Sequence, residues 1–487
     1  MDVIKKGRRK KSFVSGLIIF LCCFALVFFG IQFFTKTGIF RIPGVVYYDE
    51  SLSHDELDTL HDIFTEEVDL DKDVTISASV FDTLPELEQG QYLYEVSVPV
   101  TDFYDERVDV SEFDKDEYEY IPIAELDFTR KLLSINEKYY LDDFDGGAEF
   151  RIITFVSEKF EDEIEPLVEA TFSKKFPEKS SVLTFAQTGV TAMSRGMNSK
   201  LSAVGGDATY FAQNIGEFLS GFDLTHTSNE SSFTEYASSS NICSKPQFIN
   251  TLLAIGLDIV ELTGNHNQDC GDTAAEKTID VYNDNDIKIV GGGKTAEEAA
   301  KPLLIDEKNT NITFLAYNLS TGGATYDNTP GANQYYEDNF ISEVEAAKGR
   351  GDFVIVDIQY YECSAYVSTY EDPTCDYANS AAGDQVGFFR HLIDLGADMV
   401  VGTSAHQPQT FELYGDGVIY YGLGNLFFDQ YWWPGTTRSL ILSHYFYNGK
   451  LLQTKIVPTV YDQNFQTKLL DQETSEWFIK RLASVRP

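Results

Sequence analysis

From Ser181 onward, the chain alternates short apolar runs with turns and helical stretches, and this alternation restricts its fold more than any other feature. The apolar runs are SVLTFAQTG, LDIVELTGN, IKIVGGG, ITFLAYN, FVIVDIQYY, ADMVVGTSAH and GVIYYGLGN. Each has the length of a buried strand and ends in a polar or glycine-rich turn. Stretches with helical periodicity, such as KPQFINTLLAIG and DQVGFFRHLIDLG, lie between them. The pattern predicts an α/β domain in which helices cover the sheets.

The segment DIVELTGNHNQDCGD, residues 258–272, joins one of these strands to a turn that is rich in ligating side chains. In an open α/β sheet, ligands bind at the carboxyl ends of the strands. Asn265 offers an amide oxygen there and His266 an imidazole nitrogen, and both groups suit a metal or an anionic oxygen. The alternative is a turn whose side chains satisfy only local backbone groups.

Further polar side chains follow other strand-like runs. If those strands are parallel, their ends meet on one edge of the sheet. A site of His, Glu and Asn side chains suits a divalent metal with borderline ligand preferences. The residues at these positions are His226, Asn229, Glu230, His406 and Asn425.

Composition and motifs exclude several classes of protein. With 487 residues, 43% of them hydrophobic, the chain is long enough for two or three domains with a large core. Its formal net charge of -40 repels nucleic acid backbones and anionic lipid headgroups, so we expect cationic, neutral or metal-bridged partners. Solubility alone is the alternative explanation of the acidity.

Two catalytic motifs are absent from the sequence. VGGGKT lacks the first glycine of a phosphate-binding loop, and the chain has no Gly-x-Ser-x-Gly elbow of a serine hydrolase.

The N-terminus combines a basic cluster with an uncharged apolar run from Phe13 to Phe34. At about 1.5 Å rise per residue, a helix of this length spans a bilayer core of about 30 Å. The flanking cations favour a cytoplasmic N-terminus. We therefore predict a single-pass cell-membrane protein whose main domains are extracytoplasmic. A cleaved signal peptide is the rival, but no Ala-x-Ala-like site ends the run.

Four cysteines follow the predicted anchor: Cys243, Cys270, Cys363 and Cys375. An even number in an exported domain permits disulfides, and four cysteines allow three pairings. A Cys363–Cys375 bridge would close a short loop and leave Cys243–Cys270, which would brace the turn that carries His266. Four free thiols are the alternative.

The changes in composition along the chain predict its domain organisation. The acidic, Tyr-rich region after the linker mixes helical periodicity with strand-like alternation, so we interpret it as a mixed α/β module of its own. The predicted segments are a basic cytoplasmic tail (1–12), the anchor (13–34), a linker (35–48), the acidic module (49–178), the large α/β domain (181–461) and a C-terminal helical tail (462–487).

Over about residues 181–461, the chain resembles the CapA, or poly-γ-glutamate capsule synthesis, family. SNE at 228–230 resembles that family's Asn-Leu-Glu segment, and LTGNHNQDCG resembles its Asn-Asn-His-x-x-Asp-x-Gly block. IKIVGGGKTAEEAAKP and the long stretch GADMVVGTSAHQPQTFELYGDGVIYYGLGNLFFDQ are also similar to family motifs. The resemblance implies an exported, membrane-anchored protein linked to envelope polymers. It also implies a four-layer α/β sandwich similar to the calcineurin-like metallophosphatases.

Three positions depart from the family's pattern of ligands. The Gly-Asp after the first strand is missing near Thr188 and Gly189, Gln359 replaces a histidine, and Ser404 replaces the first histidine of His-Pro-His. A two-metal site needs more ligating groups than remain. The resemblance therefore implies one divalent metal or none, with these candidate ligands: Asn229, Glu230, Asn265, His266, Glu362 and His406.

Two functions stay open for such a site. In the first, His266, His406 and Glu230 catalyse a metal-assisted hydrolysis or transfer on an envelope polymer, while Asn425, Gln359 and Arg195 bind the substrate. In the second, a non-catalytic module with a degraded metal site binds the polymer or assists its export. A receptor with residues 49–178 as its sensor is a third possibility. The expected partners are an anionic or neutral envelope polymer and other capsule-synthesis membrane proteins, without nucleic acid.

Overall fold

The computed structural model describes residues 44–64, 68, 70–319, 322–360, 384–403 and 405–487. These residues form two compact units. Residues up to 97 group with 149–175 in a smaller unit, and residues 98–148 group with 176–487 in a larger one. The contacts thus place 98–148 with the larger unit, and the domain boundaries derived from sequence stay predictions.

The predicted localisation as a single-pass membrane protein is wrong by the structural evidence. Across the described ranges, no helix is long and apolar enough to cross a membrane. The longest described helix has 14 residues, which gives a length of about 21 Å against the roughly 30 Å of a bilayer core. The apolar run on which the prediction rested, residues 13–34, and its basic tail lie outside the described residues.

The described strands are numbered in chain order. They are β1 (Val46–Tyr48), β2 (Val74–Phe81), β3 (Gln91–Asp102), β4 (Glu119–Pro122), β5 (Arg130–Leu132), β6 (Glu149–Val156), β7 (Leu183–Thr191), β8 (Leu224–Asn229), β9 (Ile259–Glu261), β10 (Lys288–Val290) and β11 (Gly292–Gly293). They continue with β12 (Leu303–Glu307), β13 (Thr310–Asn318), β14 (Gly331–Ala332), β15 (Phe353–Gln359), β16 (Met399–Gly402), β17 (Phe411–Tyr414), β18 (Gly417–Tyr420), β19 (Asn425–Phe427), β20 (Arg438–Tyr447), β21 (Lys450–Tyr461) and β22 (Thr467–Leu469).

The described α-helices are α1 (His54–Ile63), α2 (Tyr140–Asp143), α3 (Glu165–Phe172), α4 (Gly196–Ala203), α5 (Gly216–Leu219), α6 (Ile249–Ala254), α7 (Asp272–Asp284), α8 (Ala296–Ala299), α9 (Glu337–Arg350), α10 (Gln385–Asp394) and α11 (Gln472–Ser484). The last of these confirms a helix near the C-terminus.

The smaller unit is a sheet backed by helices. Strand β1 pairs in parallel with β2, β2 pairs antiparallel with β6, and β6 pairs antiparallel with the first part of β3. In β2, Val74, Ile76 and Ala78 are buried at every second position, as the two-residue period of a strand requires. Helix α1 begins with a capping box between Ser53 and Glu56, which satisfies free N–H groups of its first turn.

The larger unit contains two main sheets. One has the strand order β10-β9-β8-β7-β20-β21-β22, with β19 also paired to β7, and the other has the order β12-β13-β15-β16-β18-β17. Strands β7 to β10 are parallel, and so are β13, β15, β16 and β18. The predicted mixed α/β fold is confirmed. Within each sheet, the carboxyl ends of the parallel strands lie on one edge.

Three hydrophobic clusters fix the layers of the larger unit. An inner cluster packs one sheet against the other, with Phe185 on β7 and Phe314 on β13 in edge-to-face contact at 5.4 Å. A second cluster packs helices α4 to α7 on the outer face of the first sheet. A third packs α9 and α10 on the outer face of the second sheet. Helices therefore cover both outer faces, as the alternating pattern predicts.

Candidate functional site

The ends of β8, β16 and the start of β19 bring three of the predicted site residues together. Glu230 follows β8, His406 lies four residues after β16, and Asn425 begins β19. Nε2 of His406 lies 3.6 Å from Oε2 of Glu230, and Nδ1 of His406 lies 2.8 Å from Oδ1 of Asn425. All three side chains are buried, with exposures of 2% or less. We call these three residues the buried trio.

The hydrogen bonds of Asn425 assign the proton on Nδ1 of His406. Nδ2 of Asn425 donates to the carbonyl oxygen of Thr436 at 3.0 Å, and a carbonyl oxygen can only accept. Oδ1 of Asn425 therefore faces His406 and accepts from Nδ1–H. This leaves Nε2 of His406 facing the carboxyl group of Glu230 at 3.6 Å, which is longer than a hydrogen bond. The arrangement fixes the orientation of the histidine beside a buried carboxyl group.

Aromatic and ionic contacts connect the buried trio to the surface. The ring of Phe428 lies 5.2 Å from that of His406, and the guanidinium of Arg195 lies 4.7 Å from the centre of the same Phe428 ring. Nε of Arg195 donates to Oδ1 of Asp429 at 3.0 Å, and Nη2 donates to the same oxygen. Oδ2 of Asp429 accepts from the N–H of Gly196, so this carboxylate also holds the start of α4. Arg195 is a quarter exposed and takes a positive φ of 47°, an uncommon backbone conformation for a residue with a side chain.

The loop with His266 lies against Glu230 but directs its histidine elsewhere. A Cβ at Gly264 would come within 2.8 Å of Cα of Glu230, so this close approach requires glycine. Nδ1 of His266 pairs with Oδ2 of Asp269 at 2.8 Å, and the His266 side chain is 27% exposed. The structure thus places His266 in a hydrogen bond with Asp269 that is separate from the buried trio.

The remaining predicted residues have mostly structural partners. Nδ2 of Asn229 donates to the backbone oxygen of Ser231 at 2.9 Å. Oδ1 of Asn265 accepts from Nε2 of Gln359 at 3.2 Å, which ties the loop to the end of β15. Glu362, Ser404, Cys363 and Cys375 lie outside the described residues. Cys243 and Cys270 have Cα atoms 6.1 Å apart with their sulfur atoms in disulfide contact, which agrees with one of the predicted pairings.

The divalent metal that the resemblance implies is not matched by a cluster of His, Cys, Asp and Glu side chains among the described residues, and the predicted ligand Glu362 lies outside them. Within the described ranges, no group of three or more His, Cys, Asp or Glu side chains is arranged to hold a metal ion. Of the two nitrogens of His406, one is taken by Asn425, so the buried trio contributes one imidazole nitrogen and one carboxylate. A catalytic zinc site uses three protein ligands, and a magnesium or calcium site uses several oxygens.

A second buried polar cluster lies between the two sheets and was only partly visible in the sequence. Nε2 of His226 lies 3.1 Å from Oδ2 of Asp357, and Nε2 of Gln187 donates to Oδ1 of Asp357 at 2.7 Å. Burial, together with the negative charge of Asp357, raises the pKa of Glu261 to about 7. Burial and the neighbouring His226 lower the pKa of His444 to about 3. The signal for this cluster was an acid inside an apolar run, in FVIVDIQ and in DIVEL.

Sequence comparison relates the chain to capsule proteins. The family model described as bacterial capsule synthesis protein PGA_cap matches residues 184–430, slightly more than half of the chain. The capsule biosynthesis protein CapA of Bacillus anthracis is 23% identical over 253 residues, which cover 48% of this chain and 58% of the relative. The PGA biosynthesis protein CapA of Bacillus subtilis (strain 168) is 27% identical over 204 residues, covering 41% and 50%. The chain thus matches only about half the length of these relatives.

Comparison with solved structures gives weaker similarities. The protein TT1561 of Thermus thermophilus is 9% identical with a TM-score of 0.30, over 55% of this chain and 99% of that one. The NAD nucleotidase NadN of Haemophilus influenzae is 11% identical with a TM-score of 0.32, over 62% and 55%.

Proposed function

Because this chain belongs to the bacterial capsule synthesis protein PGA_cap family, we propose that it is an accessory protein that binds a poly-γ-glutamate-like capsule polymer during synthesis or export. The names of the curated relatives refer to capsule and PGA biosynthesis. The observation that carries the proposal is the buried trio. Its three side chains contact one another inside the fold, and two partly exposed side chains with N–H groups, Arg195 and His266, are connected to it through Phe428 and Gly264.

Two partly exposed side chains are the polymer-binding groups in this proposal. Nε and Nη2 of Arg195 donate to the carboxylate of Asp429. In this proposal, Nη1 of the same guanidinium donates to a carboxylate or amide oxygen of the polymer. His266 is held by Asp269 through Nδ1, so its Nε2 is directed away from that pair. A protonated His266 attracts carboxylates and a neutral one donates or accepts a hydrogen bond.

The buried trio positions Arg195 and His266 through the residues that it contacts. Phe428 contacts both the ring of His406 and the guanidinium of Arg195. Gly264 allows the loop that carries His266 to lie directly against Glu230. The trio therefore acts by holding the ends of the strands in place, and its members act as positioning residues. The net charge of the chain, -40, repels an anionic polymer at long range, so binding depends on these local contacts. Because this repulsion is screened least at low salt, the affinity for the polymer should decrease as the salt concentration is lowered.

Polymer binding by the full chain tests the proposal. We expect His266→Gln and Arg195→Gln each to weaken the binding of purified poly-γ-glutamate by about tenfold, which corresponds to one lost charge-assisted contact of about 1.4 kcal/mol. His391→Gln is the matched control, because His391 forms a similar exposed hydrogen bond with Glu337, and both residues lie on helices that cover the second sheet. Unchanged binding in both site variants would contradict the proposal.

Acid–base catalysis is a second candidate function, and the position of Nε2 of His406 beside the carboxyl group of Glu230 favours it. In this case the pair would take a proton from a water molecule that attacks the carbonyl carbon of an amide or ester of the polymer, and would return that proton to the departing amine or alcohol. The affinity for the polymer would not change. Glu230→Gln removes the proton acceptor and keeps the shape of the side chain. Hydrolysis of a γ-glutamyl amide by the natural protein, lost in Glu230→Gln with polymer binding intact, would replace the binding proposal with the catalytic one.

A further inference from the structure

A cavity of about 310 Å³ lies within the larger unit and shares no lining residue with the candidate site. It is formed by β5, β21, α11 and the segment after β3. Among its lining residues, only Phe411 falls within the stretch matched by the family model. Its volume is at the lower end of the range of about 300–1,000 Å³ that is usual for small-molecule sites. The binding of a ligand in this cavity would therefore depend mostly on residues outside the stretch that the family model matches.

The walls of the cavity are mainly apolar. Phe103 and Phe411 meet edge to face with ring centres 5.7 Å apart. Leu132, Ile456 and Ile479 add aliphatic surface from β5, β21 and α11. Such walls favour a hydrocarbon or aromatic body over a fully polar one.

Lys131 is the polar group that this cavity leaves without a counterion. Its Nζ donates to the backbone oxygen of Asp105 at 2.6 Å. Among the described residues, no carboxylate lies within ion-pair distance of this ammonium. The carboxylate of Asp105 is held by Arg107 at 2.9 Å, and that of Asp109 accepts from Ser134 at 2.7 Å. Lys131 is partly buried and lines the cavity, so a ligand with an anionic group can pair with its ammonium there.

We propose that this cavity binds a small monocarboxylate with an apolar body, whose carboxylate pairs with the ammonium of Lys131. The body of the ligand packs against Phe103, Phe411 and Ile456. Polyanions are excluded, because most of the charged side chains that line the cavity are acidic and only one cation lacks an ion-pair partner among the described residues that line it. The charged groups that line the cavity or act on Lys131 are Asp105, Glu106, Asp109, Glu112, Glu137, Asp142, Lys455 and Glu476.

Protonation of Lys131 is coupled to this binding. Burial lowers the pKa of Lys131 to about 8, while the acids around it favour the ammonium. A bound carboxylate stabilises the ammonium further, so binding near and above pH 8 takes up a proton. Affinity for a carboxylate then decreases as the pH rises above about 8, whereas affinity for a neutral ligand of the same size stays constant.

Calorimetric titration of the purified full chain with octanoate, octan-1-ol and octylamine tests the proposal. At about pH 7, octanoate should bind at least about tenfold more tightly than octan-1-ol, with octylamine weakest. Lys131→Met should abolish the preference for octanoate and Lys131→Arg should retain it. The exposed Lys468→Met is the matched control. Glu476→Gln should strengthen octanoate binding severalfold, because it removes a nearby negative charge.

A measurement on the natural protein keeps the test independent of how the variants fold. At about pH 8.5, the heat of octanoate binding should depend on the ionisation heat of the buffer, as proton uptake requires. Octanoate that binds no more tightly than octan-1-ol, or that binds without proton uptake, would overturn the proposal. Polymer binding at the candidate site is measured separately, so the two proposals fail by different results.

Discussion

Replacing Glu261 with glutamine should stabilise the protein, and more so at alkaline than at acidic pH. Glu261 is fully buried between the two sheets, close to the negative charge of Asp357. Both effects raise its pKa from 4.5 to about 7. Glutamine has nearly the shape of the protonated acid and keeps an oxygen to accept the backbone N–H of Thr263. The substitution therefore removes the ionisation and retains the contact.

The size of the effect follows from the pKa difference. A carboxyl group whose pKa is higher in the folded state than in the unfolded state binds its proton more tightly when folded. Its contribution to stability is fully present below the unfolded value near 4.5 and is lost as the pH rises towards 7. A difference of this size corresponds to a loss on the order of 3 kcal/mol above pH 7.

Urea unfolding monitored by tryptophan fluorescence measures this effect in the right part of the molecule. All tryptophans, Trp432, Trp433 and Trp477, lie in the larger unit, which also contains Glu261. The free energy of unfolding of Glu261→Gln minus that of the natural protein should increase by about 2–3 kcal/mol between about pH 5 and about pH 8. The exposed Glu276→Gln is the matched control and should show no such increase.

A difference that stays constant across this pH range would refute the reasoning, because a pH-independent effect would come from packing and not from ionisation. A difference that decreases with pH would mean that Glu261 is stabilised as a carboxylate, in contradiction to its burial beside Asp357.

Three further predictions concern local packing, acid stability and a covalent link. Gly264→Ala should destabilise the larger unit by about 1–3 kcal/mol in urea unfolding, because the new Cβ meets the backbone of Glu230. His444→Gln should reduce the loss of stability as the pH falls from about 6.5 towards 3, because the folded state keeps this histidine neutral while the unfolded state takes up a proton. An unchanged acid titration in this variant would contradict the assignment. The double variant Cys243→Ser/Cys270→Ser should lower stability by about 2–4 kcal/mol, and a thiol assay of the unreduced natural protein should detect neither of these two cysteines.

The layers of the fold were predictable because each strand carries a local signal. Runs such as ITFLAYN and FVIVDIQ are short, apolar and rich in β-branched or aromatic residues, so their burial in parallel strands follows from the pattern alone. The membership of residues 98–148 in the larger unit was not predictable, since it depends on contacts between segments that are far apart in sequence. Gln453, for example, accepts from the backbone N–H of Leu132 at 2.6 Å.

The candidate site was predictable in part for the same reason. The positions of Glu230, His406 and Asn425 at strand ends can be deduced from the strand pattern, and the structure brings these three together. The rotamer of His266 cannot be deduced, because its pairing with Asp269 depends on the local shape of the turn. The partnership of His226 with Asp357 depends on how two sheets face each other, which no local pattern specifies.

Polymer binding with and without a chelator tests the central claim most directly, namely that the candidate site binds its ligand without a metal. The full chain is treated with a chelator, dialysed and titrated with poly-γ-glutamate beside untreated protein. With Arg195 and His266 as the binding groups, both samples should bind with the same affinity, and elemental analysis should find no stoichiometric divalent metal in either. Loss of binding after chelation, with recovery when a divalent cation is added back, would contradict the account.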